Sequence, residues 1–302
     1  MNRNLTKLFT FFIPHQILRK RVRGILRYGL LKSIILLFTL KQNKQKSYKN
    51  YLSVCAIAKN EGMYFQEWIE WHISKGVEKF YIYDNESTDN TKEILAPYIE
   101  NGFVEYIYWK GQKQQLDAYD DCLDKHRFDS FWIAFIDLDE FIVPIKDNTI
   151  PEYLNKLENF TAIEINWLIY GSSNEKVKKE GGVMERFKYH APFDHIKNRY
   201  VKNIVNPRRI FSFTACHDVA HISGQIVDAY GNPKKRNSHF NEPSHDVIRI
   251  NHYPVKSYEE FLMKKSRGST STLKDRYVTY FNKYDLNDIK DENEYLEVKN
   301  EN

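Results

Sequence analysis

From residue 51 onward, short apolar runs alternate along the chain with segments whose apolar residues recur at helical spacing. The first helical segment is Met63 to Lys75 and the third is Gln112 to His126. Between them, a second segment is capped by Ser87 or Thr88 and ends at Ile99. The apolar runs predict strands, and they cover residues 52–58, 79–83, 103–109 and 131–136. This alternation predicts an α/β fold with a Rossmann-like, mostly parallel sheet and helices on both faces.

Polar residues gather directly after three of the predicted strands. Lys59, Asn60 and Glu61 follow the first strand, residues 84–89 follow the second, and residues 137–140 follow the fourth. Ligands of parallel α/β sheets bind outside the carboxyl ends of the strands, so these clusters mark one predicted site. The sequence has neither a glycine-rich dinucleotide loop nor a P-loop, which argues against dehydrogenases and kinases.

The fourth predicted strand runs into the acidic sequence Asp137-Leu138-Asp139-Glu140. Carboxylates at positions i and i+2 of an extended backbone point to the same side, because strand side chains alternate. Asp137 and Asp139 are therefore predicted to hold a hard divalent cation, with coordination positions left for diphosphate oxygens. Such a cation would neutralise charge on a departing nucleoside diphosphate.

Positive charge is concentrated at the start of the chain. Residues 1–50 contain 12 Lys and Arg and no Asp or Glu, whereas the remaining residues contain 33 basic and 40 acidic side chains. Apolar stretches at residues 8–18 and 25–40 are shorter or more interrupted than the roughly 20 apolar residues of a spanning helix. We predict a basic amphipathic segment that binds an anionic membrane surface. A packed helical extension is the main alternative, and a tail for nucleic acid is a weaker one.

Several motifs, in order along the chain, resemble glycosyltransferase family 92 and the related family 2-like glycosyltransferases. They fall within about residues 51–270 and are therefore difficult to attribute to chance. The motifs are residues 54–61 (VCAIAKNE), 68–72 (WIEWH), 83–89 (YDNESTD), 136–141 (IDLDEF), 166–173 (NWLIYGSS) and 251–261 (NHYPVKSYEEF).

The resemblance implies a GT-A fold, a UDP-sugar donor, Mn²⁺ or Mg²⁺, and inverting transfer of a hexose, with galactose favoured. By family position, Asp84 would contact the nucleoside, and Asp137 and Asp139 would lie at the metal and the diphosphate. A late histidine often completes the metal shell in this fold, and we assign that role to His252. The other donor-binding candidates are polar or basic residues, namely Lys59, Asn60, Glu61, Ser87, Asp89, Gln114, Lys256 and Arg267.

The acceptor is expected to bind on the second half of the domain. Trp167 ends a predicted strand, where its ring suits stacking on a sugar, and Ser172 lies in the loop that follows. Inverting transfer needs a carboxylate as general base for the acceptor hydroxyl. The candidates are Glu185, Asp194, Asp218 and Asp246. Asp218 is preferred because His217 precedes it in a polar stretch.

We therefore expect three parts: a membrane-associating segment at residues 1–50, a GT-A domain at residues 51–270 and a helical tail at residues 271–302. The animal members' membrane span and stem are missing, which favours a peripheral enzyme at the cytoplasmic face of a membrane. Its predicted role is to build surface polysaccharide or lipopolysaccharide on a glycan or glycolipid acceptor, without nucleic acid. The alternative is a non-catalytic module on the same fold that binds a nucleotide sugar or a glycan.

Overall fold

The computed structural model describes residues 3–42, 47–233, 243–266 and 278–292. Its helices are α1 (Arg3–Phe9), α2 (Gln16–Tyr28), α3 (Leu30–Gln42), α4 (Gly62–Ser74), α5 (Thr91–Glu100), α6 (Gln115–His126), α7 (Ile150–Leu154), α8 (Val183–Arg186), α9 (Tyr258–Ser266) and α10 (Val278–Tyr284). Its strands are β1 (Asn50–Ala58), β2 (Lys79–Asp84), β3 (Val104–Tyr108), β4 (Ser130–Phe135), β5 (Glu140–Pro144), β6 (Ala162–Ile169), β7 (Tyr189–His190), β8 (Val201–Val205), β9 (Ile210–Ala215), β10 (Asp218–His221), β11 (Ile226–Asp228), β12 (Ile248–His252) and β13 (Ile289–Lys290).

Nine strands of the described residues form one mixed sheet. Its order is β3-β2-β1-β4-β8-β6-β12-β5, and β11 pairs with β6 outside this path. Strands β1 to β4 are parallel, while β8 lies antiparallel between β4 and β6. At the far edge, β12 is parallel to β6 and antiparallel to β5. Most pairings are parallel, so the α/β class and the mostly parallel sheet expected of a GT-A-type fold are confirmed.

Each face of the sheet has its own hydrophobic core, because successive strand residues point to opposite faces. Val54 and its neighbours at alternate positions pack with Phe65 and Trp68 of α4. Cys55 and the intervening residues pack on the other face with Tyr119 of α6 and with the β9–β10 hairpin. Helices therefore cover both faces, as predicted.

The helix that follows β2 begins later than the sequence predicts. Its N-cap is Asn90, and α5 starts at Thr91, so the predicted cap at Ser87 or Thr88 is wrong. The hydroxyl of Ser87 is engaged elsewhere, because its Oγ accepts a hydrogen bond from the backbone N–H of Asn60 at 2.9 Å. The predicted end of α4 is confirmed: Gly76 adopts a φ of 90°, which favours glycine after a helix.

The N-terminal segment forms helices, and α2 packs on the domain against β9 and β10. Helix α2 lies very close to β10, because a Cβ on Gly24 would lie only 2.5 Å from the Cβ of Ala220. Arg27 donates to the carbonyl of Phe213 and pairs with Asp120. For α2 the packed extension is therefore the better description. No helix among the described residues is both long enough and apolar enough to cross a bilayer.

A C-terminal segment, residues 285–291, packs onto the sheet beyond the predicted domain boundary at residue 270. Its anchor is Asp291, whose carboxylate accepts from the guanidinium of Arg249 and from the hydroxyl of Tyr170. All three side chains are buried. Burial of an arginine is tolerated only when its charge is paired. The C-terminal segment therefore supplies the counter-charge for Arg249 of β12.

Candidate active site

The loops that follow β1 and β2 are joined by hydrogen bonds. The backbone N–H of Thr88 donates to Asn60 Oδ1 at 2.7 Å, and that of Gly62 donates to Asp89 Oδ2 at 2.9 Å. Asn60 has a φ of 52°, a left-handed conformation that asparagine tolerates better than most residues. The structure thus brings together the predicted donor-binding residues Asn60, Ser87 and Asp89, with Lys59 and Glu61 half-buried on either side of Asn60.

Asp84 is buried at the end of β2 and shapes the second of these loops. Its Oδ1 accepts from the backbone N–H of Ser87 at 3.1 Å, and its Oδ2 accepts from the hydroxyl of Tyr106 at 2.5 Å. Both carboxylate oxygens therefore already have partners in the protein. Its role towards a nucleoside stays a prediction from the family resemblance.

The acidic motif after β4 is held by buried polar side chains. Asp137 Oδ1 accepts from Gln115 Nε2 at 2.7 Å and from the hydroxyl of Tyr119 at 3.3 Å. Asp137 Oδ2 lies 2.8 Å from the ammonium nitrogen of Lys202, and Glu140 Oε2 lies 3.4 Å from the same nitrogen. Lys202 is therefore shared between two carboxylates inside the protein.

Asp139 faces the other side of the motif. Its carboxylate pairs with the ammonium group of Lys264, and its Oδ1 lies 3.7 Å from His252 Nε2. The predicted contact between Asp139 and His252 is thus present. The expected same-side arrangement of Asp137 and Asp139 is not, because the backbone turns after β4 and the N–H of Glu140 donates to the carbonyl of Asp137 at 3.1 Å. The alternation argument holds only for extended backbone.

Burial and charge pairing shift the pKa values of these groups in different directions. Burial alone would raise the pKa of Asp139, but the charge of Lys264 and the hydrogen-bonding contact with His252 hold it well below its usual value. Burial would lower the pKa of Lys202, but Asp137 and Glu140 raise it well above normal. Burial lowers the pKa of His252, which favours the neutral imidazole that a metal ligand requires.

One group of side chains fits a divalent metal. Ligand atoms of Asp139, Glu140 and His252 all lie within 4.8 Å of one another. Glu140 Oε1 and His252 Nδ1 are buried and have no hydrogen-bond partner among the described residues. Two carboxylates and an imidazole form a donor set suited to Mn²⁺ or another divalent transition ion. The residues therefore fit the predicted metal, with Glu140 rather than Asp137 beside Asp139.

A cleft of about 180 Å³ lies next to this group. Its lining combines the β1 loop with α9, and the residues are Asn60, Met63, Tyr64, Val255, Lys256, Glu260, Met263, Lys264 and Ser266. The ammonium nitrogen of Lys256 lies 4.2 Å from the ring centroid of Tyr64. Lys264 joins the cleft to the acidic motif through Asp139. Two predicted donor-side residues, Asn60 and Lys256, therefore share one cleft, whereas Arg267 lies outside the described residues.

Gln114 does not reach the acidic motif. Its side-chain amide donates to the carbonyl of Gln112 at 3.1 Å. The next residue, Gln115, makes the contact with Asp137 instead. One position along a helix rotates a side chain by about 100°, which separates the two glutamines.

The two acceptor candidates have different surroundings. The ring of Trp167 is buried and lies 4.2 Å from that of His252, centroid to centroid, so Trp167 is part of the site. Ser172 is buried under the C-terminal segment, and its backbone N–H donates to Asp285 at 2.7 Å. A direct contact between Ser172 and an acceptor is therefore not supported by the structure.

Asp218 is not brought to the acidic motif. Its carboxylate lies 2.8 Å from the ammonium nitrogen of Lys20 in α2 and also accepts from the hydroxyl of Thr214 at 2.9 Å. The preceding residue, His217, contacts the ring of Trp167 instead, at 5.1 Å between centroids. A carboxylate paired with a cation in this way argues against the predicted role as general base.

The sequence assigned no role to three residues at the centre of the site, namely Gln115, Glu140 and Lys202. Lys202 carried the clearest signal, because a lysine inside the apolar strand sequence VKNIV requires a buried counter-charge. That signal does not identify the partner, since Lys202 and Asp137 are 65 residues apart.

An acidic group beside a histidine, at the carboxyl end of a central parallel strand, is the arrangement expected of a glycosyltransferase of the GT-A type. The family comparison agrees with that class. The chain belongs to glycosyltransferase family 92, whose model matches residues 50–293.

The sequence identity between the chain and individual relatives is low. The chain is 26% identical over 220 residues to a family 92 protein of Ricinus communis, a match that covers 70% of this chain and 37% of the relative. It is 28% identical over 219 residues to the β-1,4-galactosyltransferase galt-1 of Caenorhabditis elegans, covering 67% of this chain and 47% of that protein. The chain thus spans less than half the length of these relatives.

Similar solved structures share little sequence with the chain. S. aureus TarS (residues 1–349) in complex with UDP has a TM-score of 0.36 at 13% identity, over 52% of this chain and 47% of that one. Glucosyl-3-phosphoglycerate synthase from Mycobacterium tuberculosis, with Mn²⁺, UDP and glucosyl-3-phosphoglycerate, has a TM-score of 0.35 at 14% identity, over 63% and 73%.

Proposed function

We propose that this protein is a metal-dependent inverting glycosyltransferase that transfers a hexose from a UDP-sugar to a glycan or glycolipid acceptor of a surface polysaccharide or lipopolysaccharide. The proposal rests on the proximity of Asp139, Glu140 and His252 to one another beside a cleft. The chain that contains this group is a member of family 92. Galactose is the favoured hexose, because galt-1 and the Arabidopsis thaliana protein GALS2, 27% identical over 179 residues, are both named β-1,4-galactosyltransferases.

In this proposal the side chains have separate roles. Asp139, Glu140 and His252 hold the divalent cation, which supplies positive charge for the diphosphate of the donor. Lys256 and Lys264, both at the cleft, are placed to bind phosphate oxygens. Trp167 is buried against His252, where it would position this histidine at the metal.

One observation favours the alternative, a module that binds a nucleotide sugar without turning it over. Lys202 and Lys264 already neutralise carboxylates of the acidic motif, so the site carries internal cations. Such a site tolerates the negative charge of a diphosphate without a metal. Turnover, rather than binding, therefore discriminates between the two functions.

The test is release of UDP from a panel of UDP-sugars, with Mn²⁺ and with a chelator. We expect turnover of UDP-galactose that the chelator abolishes and that Asp139→Asn reduces by at least about a hundredfold. The matched control is Asp117→Asn, because Asp117 is an exposed carboxylate beside Arg27 and is not a candidate site residue. Turnover that survives the chelator would refute the metal, and binding of UDP-galactose without turnover would establish the alternative.

A further inference from the structure

Exposed apolar side chains are concentrated on α1, on the turn after it, on the first turn of α2 and on α3. Of the 22 large hydrophobic side chains that the described residues expose, 12 lie between positions 5 and 38. We call these twelve the N-terminal apolar surface, and they are Leu5, Leu8, Phe9, Phe11, Phe12, Leu18, Leu30, Leu31, Ile34, Ile35, Leu37 and Phe38. Single exposed apolar residues are ordinary, but such a concentration marks an interaction surface.

Helix α2 attaches this surface to the domain. Its basic side chains are largely used inside the protein: Lys20 pairs with Asp218, and Arg27 pairs with Asp120. Arg23 donates to Thr10 Oγ1 at 2.6 Å and thereby holds the end of α1 against α2. Helix α2, which packs on the domain, therefore connects the N-terminal apolar surface to the rest of the protein.

Helix α3 has little contact with the domain. Leu36 is its buried apolar side chain and packs with Phe211 and Ala220, while most of the helix faces outward. Its 13 residues are apolar nearly all round. A helix of that length measures about 20 Å, which is short of the roughly 30 Å hydrocarbon core of a bilayer. A helix of this length therefore enters one side of a membrane rather than crossing its full thickness.

The charges around the surface are of one sign. Lys7, Lys32 and Lys41 are exposed on α1 and α3, and residues 1–50 contain no Asp or Glu. Anionic headgroups complement such a surface. A second copy of the same surface would bring like charges together, which disfavours self-association through it.

We infer that α1 and α3 insert the N-terminal apolar surface into the headgroup boundary of a membrane that contains anionic phospholipid. The exposed lysines then lie among lipid phosphates, while α2 holds the catalytic domain at the membrane. The inference does not depend on the proposed transferase activity, because none of these residues lines the cleft or contacts the acidic motif.

The test is flotation of the full chain with phosphatidylcholine vesicles, with and without about 30% phosphatidylglycerol. We expect the wild type to prefer the anionic vesicles by at least about tenfold, and Lys32→Glu to reduce that preference. The double variant Phe11→Ser, Phe12→Ser should lower binding by at least about tenfold, because each exposed phenylalanine contributes buried area. Phe193→Ser, which removes an exposed phenylalanine elsewhere on the domain, is the matched control and should bind as the wild type does.

Two results would overturn the inference. One is equal binding of the wild type and the double variant to anionic vesicles, with both shown by circular dichroism to be folded. The other is a dimer, seen without lipid by light scattering, that the same two substitutions dissociate. Release of UDP in solution should be the same for the wild type and the double variant, which separates this inference from the proposed function.

Discussion

Lys202 provides the sharpest test of how the acidic motif is stabilised. The change Lys202→Met keeps most of the length of the side chain and removes the ammonium group that lies 2.8 Å from Asp137 and 3.4 Å from Glu140. Removing one partner of a buried ion pair costs about 3–5 kcal/mol, because the other charge is left unpaired. Burial already raises the pKa of Glu140, so this carboxyl takes up a proton in the variant and the cost falls near about 3 kcal/mol.

The assay is urea denaturation followed by circular dichroism, at neutral pH and at several lower values. A loss of about 3 kcal/mol corresponds to a melting temperature roughly 6–12 °C lower. A protein with a carboxyl whose folded-state pKa is raised becomes more stable as the pH falls through that pKa. The loss of free energy of unfolding in Lys202→Met should therefore become smaller on acidification.

The control for this experiment is Lys146→Met. Lys146 pairs with Asp246 at the same distance, 2.8 Å, but both side chains are 58% exposed. An exposed pair contributes about 0–1 kcal/mol, so the control should lose little. If Lys202→Met loses no more than Lys146→Met, or if its deficit does not change with pH, the account of the acidic motif is wrong.

Three further predictions concern residues around the site. Burial lowers the pKa of His72 to about 4, so its share of stability, about 3 kcal/mol, should be lost as the pH falls from about 6.5 to about 4. The variant His72→Gln should show a shallower dependence of the free energy of unfolding on pH, and an unchanged slope would contradict this. Asp291→Asn removes the carboxylate charge that pairs with the buried guanidinium of Arg249, and should cost about 3–5 kcal/mol in urea denaturation; a loss below about 1 kcal/mol would contradict the pairing. Asp218→Asn should leave the pH profile of UDP release unchanged and weaken the docking of α2 through Lys20; a loss of turnover of about a hundredfold or more would restore Asp218 as the base.

The first half of the fold was predictable because its signals are local. In β1, successive residues such as Val54 and Cys55 belong to opposite cores, and both are apolar, which is the pattern of a strand buried on two faces. The position of β8 was not predictable, because its antiparallel pairing with β4 and β6 depends on long-range contacts. Strand sequences alone do not specify such neighbours.

The site was predictable where family motifs carried the information. Asp139 and His252 were assigned from those motifs, and the structure brings them together. Reasoning from spacing was less successful. It treated residues 137–139 as extended, whereas a turn directs Asp137 towards Lys202. Ser172 is buried where its backbone N–H donates to Asp285, which lies 113 residues later in the sequence. No local sequence pattern predicts a contact between residues so far apart.

The pairing of Arg249 with Asp291 also sets an order of events during synthesis. The two residues are 42 positions apart, so a ribosome completes β12 well before it adds the acid that neutralises the arginine. During that interval the ion pair between Arg249 and Asp291 cannot form, which makes burial of Arg249 in the sheet less favourable. Closure of the sheet at β12 should therefore be completed only after the C-terminal segment emerges, and β12 would stay accessible to chaperones until then.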